Sequence, residues 1–273
     1  FDKALLAKKI LKDTLPYIKS KKSKTFSYII KNYDRSIGAS LSGEIARLYG
    51  NYSLSKKPIT LSFTGTAGQS FGAWNVSGLN MTLNGDANDY VGKGMAGGNI
   101  VIQSPKELKT IASSTVAIGN TCLYGATGGR LFVEGIVGER FAVRNSGCIA
   151  VVEGSGDHAC EYMTGGAVIF LGKVGNNFGA GMTGGLSFVY DDNQMLDSNI
   201  NAESVELVKI KPGKYRKHEE FIHKQIKSHF AKTGSLRAKQ ILDNFCDEVK
   251  KFYIIKPKSS NIDDLLVIIN KAA

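Results

Sequence analysis

The sequence predicts a mainly β fold: a right-handed, single-stranded β-helix, rich in glycine, with α-helices on both flanks. Three observations predict it. Of the 31 glycines, 26 lie between residues 61 and 191. Double glycines recur in that stretch, each opening a short segment of alternating apolar residues. Helical periodicity is missing there and present on either side. The expected division is 1–59 as a helical lead-in and connector, 60–191 as the β-helix, and 192–273 as a C-terminal helical cap.

Taken in order, residues 1–24 predict a short amphipathic helix that Pro16 breaks, followed by a lysine-rich turn. Proline inside a helix removes a hydrogen bond and crowds the preceding turn. Residues 32–49 predict a connector that leads into a helix around 41–48.

The middle is a repeat. The pairs are Gly97-Gly98, Gly128-Gly129, Gly165-Gly166 and Gly184-Gly185, each preceded by Ala96, Thr127, Thr164 or Thr183. From Gly129 through Gly147, Gly166 and Gly185 the steps are 18, 19 and 19 residues. Gly135, Gly154 and Gly172 form a second series, with steps of 19 and 18. A fixed period of this size, with strands and no helical pattern, is the signature of a solenoid. Corners need positive φ or a missing Cβ, and glycine supplies both. The pairs and Gly147 are therefore the expected structural glycines. Coils stacked at about 4.8 Å make a rod of roughly 30 Å from about six coils. Val133, Val151, Ile169 and Phe188 are expected to point into its narrow core.

After Asp191 glycine nearly vanishes. Ile222, Ile226 and Phe230 stand at helical spacing within 219–230. Thr233-Gly234-Ser235 predicts a helix stop and then an N-cap. Residues 235–253 predict a second helix and 263–271 a last one. Such helices would shield the open end of a solenoid.

Composition narrows the function. The net charge is +11, but residues 1–60 carry 13 Lys+Arg against 4 Asp+Glu, whereas 61–191 carry 7 against 9. Lys19, Lys21, Lys22 and Lys24 fall in a polar stretch, not among the interleaved aromatics of a nucleic-acid face. A solvated surface is expected, with no nucleic acid bound and an acidic protein as the second choice of partner. The longest strongly apolar run near the end, 265–269, is too short to span a bilayer. No membrane partner is expected, and the expected location is cytoplasmic. The four cysteines, Cys122, Cys148, Cys160 and Cys246, form no close pair, so buried free thiols are expected rather than zinc ligands or disulfides.

Three motifs tempt. Gly92 to Gly97 and Gly179 to Gly184 match GxGxxG, but a dinucleotide fingerprint opens a helix and both of these run into a strand. Gly68-Gln69-Ser70-Phe71-Gly72 matches the GxSxG of a hydrolase, again without the required helix. Asp157, His158, Cys160 and Glu161 form the densest polar cluster, and a corner loop whose side chains satisfy turn backbone groups accounts for them. No catalytic, cofactor-binding or metal-binding residue is predicted.

Several segments resemble the C-terminal domain of the glutamate synthase large chain. They are Asn32-Tyr33-Asp34-Arg35-Ser36-Ile37-Gly38-Ala39, Gly68 to Ala73, Gly85 to Gly94, Gly138 to Gly147, Gly156 to Gly166, Asn177 to Gly185, and His229 to Leu242. The resemblance covers about residues 30 to 255 and implies a β-helix. In that family an amidotransferase domain releases ammonia from glutamine, and a flavin and iron–sulfur region uses it to make glutamate from 2-oxoglutarate. The β-helix domain joins the two and helps line the path between them. The implied partners are those amidotransferase and synthase domains, in cis or in trans. The implied cofactors, FMN and an iron–sulfur cluster, belong to the parent enzyme and not to this chain. The alternative is a stand-alone assembly subunit of a multi-subunit oxidoreductase, since a similar glycine-rich β-helix occurs in a subunit of formylmethanofuran dehydrogenase.

Overall fold

The computed structural model describes residues 5–50 and 54–272. Helix α1 (Leu5–Lys19) comes first, then strand β1 (Lys24–Ile30) and helix α2 (Ala39–Tyr49). Pro16, expected to break the first helix, sits inside it. Ile10, Thr14 and Ile18 are buried along one face of α1, and that packing holds the last turn against the proline penalty.

The solenoid follows: β2 (Ile59–Ala67), β3 (Leu79–Ala87), β4 (Ala96–Gln103), β5 (Val116–Ile118), β6 (Gly128–Val133), β7 (Ile136–Val137), β8 (Ser146–Val152), β9 (Gly154–Ser155), β10 (Thr164–Phe170) and β11 (Gly184–Tyr190). A 3₁₀ segment, Lys106–Ser114, lies between β4 and β5. The long strands stack in parallel as β1-β2-β3-β4-β6-β8-β10-β11, and β5, β7 and β9 continue from the end of β3 as a short second sheet. The stack has about seven turns rather than six. It begins before residue 60, because β1 pairs residue for residue with β2 from Lys24↔Ile59 to Ile30↔Gly65.

The C-terminal part holds α3 (Leu196–Asn199), β12 (Val205–Lys209), α4 (Arg216–Thr233), α5 (Leu236–Asp243), α6 (Phe245–Glu248), β13 (Phe252–Pro257) and α7 (Ile262–Ala272). The stop and cap between α4 and α5 are as expected: Gly234 is left-handed at φ +74°, and Ser235 Oγ accepts the Ala238 amide. The single helix expected over 235–253 is instead two short helices, a 3₁₀ turn and the start of β13. Strand β13 pairs antiparallel with β11 and β12, so the open end of the parallel stack is closed by strands as well as helices.

Two cores sit on opposite faces of the sheet. The lumen stacks Phe26, Leu61, Met81, Ile100, Leu131, Ala150 and Val168 in register. The neighbouring outward column reads Ser27, Ser62, Thr82, Val101, Phe132, Val151, Ile169, Phe188 and Ile254. From Val101 onward this column belongs to a second apolar cluster with Phe221, Ile226, Ile241 and Leu266 of α4, α5 and α7. Val133 therefore faces the lumen as expected, whereas Val151, Ile169 and Phe188 pack outward beneath the helices. A strand buried on both faces shows no polar alternation to reveal which side is which.

Each double glycine splits into two roles. The second members, Gly98, Gly129, Gly166 and Gly185, are left-handed at φ +72° to +85°. The first members lie against the preceding coil: a Cβ on Gly165 would stand 2.2 Å from the Ser146 carbonyl oxygen. Gly147 fits this first role, its Cβ position lying 2.1 Å from Thr127 O, and not the left-handed series its spacing suggested.

Candidate functional site

Six of the coils close through a five-residue arch with positive φ at its first, third and fifth positions. The six arches begin at Ser70, Tyr90, Thr121, Arg140, His158 and Asn177, and all 18 such φ values lie between +52° and +72°. Twelve of these 18 residues are not glycine. A left-handed L-residue costs roughly 1–2 kcal/mol, so the backbone must gain something in return. It gains a ladder. In the first five arches the first and fifth amides donate to the following coil, and in all six the third donates to the preceding one: Arg140 N to Asp157 O at 2.8 Å, Arg144 N to Glu161 O at 2.9 Å, Ala142 N to Cys122 O at 2.9 Å. The two GxGxxG matches are two of these arches, and they run into β4 and β11. Ser70 of the GxSxG match is the first residue of another arch, and the next element is strand β3.

The polar cluster on the fifth arch is dispersed by this geometry. Asp157 Oδ1 accepts the Asn176 amide of the next coil at 2.7 Å. Asp89 and Asn120 do the same for Asn120 and Glu139 at 2.8 Å each. Cys160 turns inward, with its sulfur 3.3 Å from Ser187 Oγ, and burial pushes its thiol up to about 12. His158 Nδ1 lies 2.9 Å from Glu161 Oε1 and 3.2 Å from Asn177 Nδ2. The arrangement fastens one coil to the next. Cys122 and Cys148 are likewise buried with thiols raised by desolvation, whereas Cys246, expected to be buried, is exposed on α6.

A second constellation escaped the sequence reading. Glu134 and Glu153 are buried side chains at the ends of β6 and β8, in the seam below α4 and α5. Glu134 accepts Lys109 Nζ at 2.9 Å and the Ser104 amide at 3.0 Å, and Lys109 also donates to Thr233 O at 2.8 Å. Glu153 accepts Ser235 Oγ and lies 3.8 Å from His229 Nε2. His229 is fully buried and stacks on Phe132 at 6.1 Å. A signal was present: each glutamate precedes a glycine of the second periodic series, at the same phase of successive coils. A buried charge with matched partners locates two surfaces more sharply than apolar contact does.

Among the described residues no three His, Cys, Asp or Glu side chains converge to hold a metal ion. Nor is any helix among them long and apolar enough to cross a membrane.

A family model described as "GXGXG motif" matches residues 7–258. The ferredoxin-dependent glutamate synthase of Pyropia yezoensis is 51% identical over 241 residues, which is 88% of this chain and 15% of that protein. The glutamate synthase [NADPH] large chain of Bacillus subtilis is 42% identical over 259 residues, 94% of this chain and 17% of that protein. The glutamate synthase [NADH] of Schizosaccharomyces pombe is 45% identical over 229 residues, 84% of this chain and 11% of that protein. The chain thus spans about a seventh of the length of the curated relatives it matches. With the match running over most of its length, the chain belongs to the GXGXG-motif family.

Proposed function

We propose that this chain is the β-helix domain of a glutamate synthase large chain and acts there as a non-catalytic scaffold. It joins the amidotransferase region to the flavin and iron–sulfur synthase region and helps line the ammonia path between them. The partners are those two regions, in cis or in trans. The cofactors, FMN and the iron–sulfur cluster, are held by the parent enzyme outside this chain.

The observation that carries the reading is the unbroken lumen column from Phe26 on β1 to Val168 on β10, together with relatives that are glutamate synthases. A rod packed end to end, with its helices locked on by buried glutamates, transmits position and not flexibility. The test is made in the complete enzyme. Gly166→Val, which breaks one coil, is expected to raise the amount of glutamine hydrolysed per glutamate formed. An unchanged ratio in a variant shown to have lost the coil, or a flavin spectrum from the purified 273-residue chain, would overturn the reading.

A further inference from the structure

Two of the three faces of the solenoid are accounted for within the chain. The lumen is filled. The outer sheet face is covered by helices over its later coils and bonded to itself over the earlier ones, as where Asn99 Nδ2 donates to Asn80 Oδ1 at 2.7 Å. The arch face differs. Its outward positions carry Trp74, Tyr90, Lys93, Arg140, Arg144 and Tyr162, from four of the six arches.

Trp74 is the chain's only tryptophan and is 56% exposed, and Tyr162 is 57% exposed. Both are held on left-handed backbone, at φ +56° and +52°. Both are also bedded on the next coil. A Cβ on Gly94 would stand 2.9 Å from the Trp74 indole, and one on Gly181 would stand 2.5 Å from the Tyr162 ring. Each aromatic thus lies over a glycine, at the one place where a side chain would lift the ring. Fixed rings left half in water stabilise little inside the chain. Trp, Tyr and Arg are the residues that anchor protein interfaces.

We propose that this ridge is the surface on which the remaining polypeptide of the glutamate synthase docks. The inference rests on the scaffold reading above and adds which face is used. Its occupant follows from two observations. The relatives are six to nine times longer than the matched segment, so most of such a protein lies outside this chain. The ridge also mixes signs: Glu139 and Asp157 flank Arg140, and Glu161 flanks Tyr162. A phosphate backbone would meet these carboxylates, whereas a protein surface can supply flat apolar beds for the rings and carboxylates or carbonyls for Arg140 and Arg144.

Hydroxyl-radical footprinting of the complete enzyme and of the isolated 273-residue chain tests this. Trp74 and Tyr162 are expected to oxidise roughly tenfold more slowly in the complete enzyme, as water-excluded anchors do, while Met195, outside the ridge, is unchanged. If Trp74 and Tyr162 stay reactive while Ile29, on the sheet face, becomes protected, the ridge is wrong and the scaffold reading stands. If no face is protected, both fall. Asparagine tolerates left-handed backbone, so Trp74→Asn with Tyr162→Asn removes the rings and keeps the arches. That double variant is expected to restore the isolated-chain oxidation rate at Tyr90, and retained protection there would overturn the proposal.

Discussion

The outer face of the parallel sheet is two surfaces in one. Over β1 to β3 and the start of β4 the outward residues Thr25, Ser27, Thr60, Ser62, Asn80, Thr82 and Asn99 are exposed or half-buried, and Val101 on β4 is the first buried residue of its column. Over β6 to β11 the same columns continue as Phe132, Ile149, Val151, Ala167, Ile169, Leu186 and Phe188, all buried. The coils share the same backbone ladder and arches throughout. Parallel sheets are usually covered on both faces. Here the lumen and the arch ladder suffice to hold a coil, and the outward row is free to remain polar or to carry a helical layer.

That contrast can be broken or sharpened by substitution. The largest effect should ignore it. Gly166→Val forces a β-branched residue to φ +75° with its Cβ 2.4 Å from Cys148 O, and Gly98→Val does the same at φ +72° and 2.2 Å from Leu79 O. Each is expected to cost about 3–5 kcal/mol in urea unfolding, in the covered half and the bare half alike. A tolerated Gly98→Val would show that the bare half is held by something other than its corners.

Within one outward column the two halves should part. Phe132→Ala is expected to cost about 3–5 kcal/mol, and Thr82→Ala within about 0.5 kcal/mol of nothing. Equal costs in thermal unfolding would abolish the distinction. The seam comes next. Glu153→Ala leaves the buried Ser235 O–H without its acceptor and is expected to cost about 1–3 kcal/mol, with faster proteolysis of α4 and α5 as the local readout.

The smallest effect depends on pH. Burial between α4 and α7 holds His218 below the ordinary histidine range; Lys217 adds to this, while Asp263 and the Ile262 carbonyl oppose it. The folded protein keeps this ring neutral while the unfolded chain takes up a proton near pH ~6.5. His218 therefore lowers stability as pH falls through about 6.5, and not above it. His218→Gln should flatten urea midpoints measured between about pH 7.5 and 5.5. A slope that survives in the variant would assign it to another group.

Much of this was legible in the sequence, because corners make demands that only certain residues meet. The glycine period gives the coils, and Thr233-Gly234-Ser235 gives the break between α4 and α5. What stayed hidden had physical reasons. Val151 and Ile169 alternate with residues just as apolar, and Phe188 stands beside a buried serine, so burial on both faces erased the sign that separates inside from outside. Strand β1 begins at Lys24 in a run of lysines, and only its pairing with β2 makes it a coil. Strand β13 follows an apolar helical spacing without a break, and its position between β11 and β12 is a tertiary fact. Glu134 and Glu153 look like surface residues until the helices close over them.

The arch ladder has a mechanical corollary. Because each of the first five arches donates to the coil on each side, those coils are interchangeable units, and length can change only by adding or removing a whole one. Each unit shifts the far end by about 4.8 Å, the spacing of neighbouring strands. A protein built on such a rod holds whatever is fastened along it at graduated distances, like marks on a ruler. Lineages that needed a different span would have to move by one full mark or none.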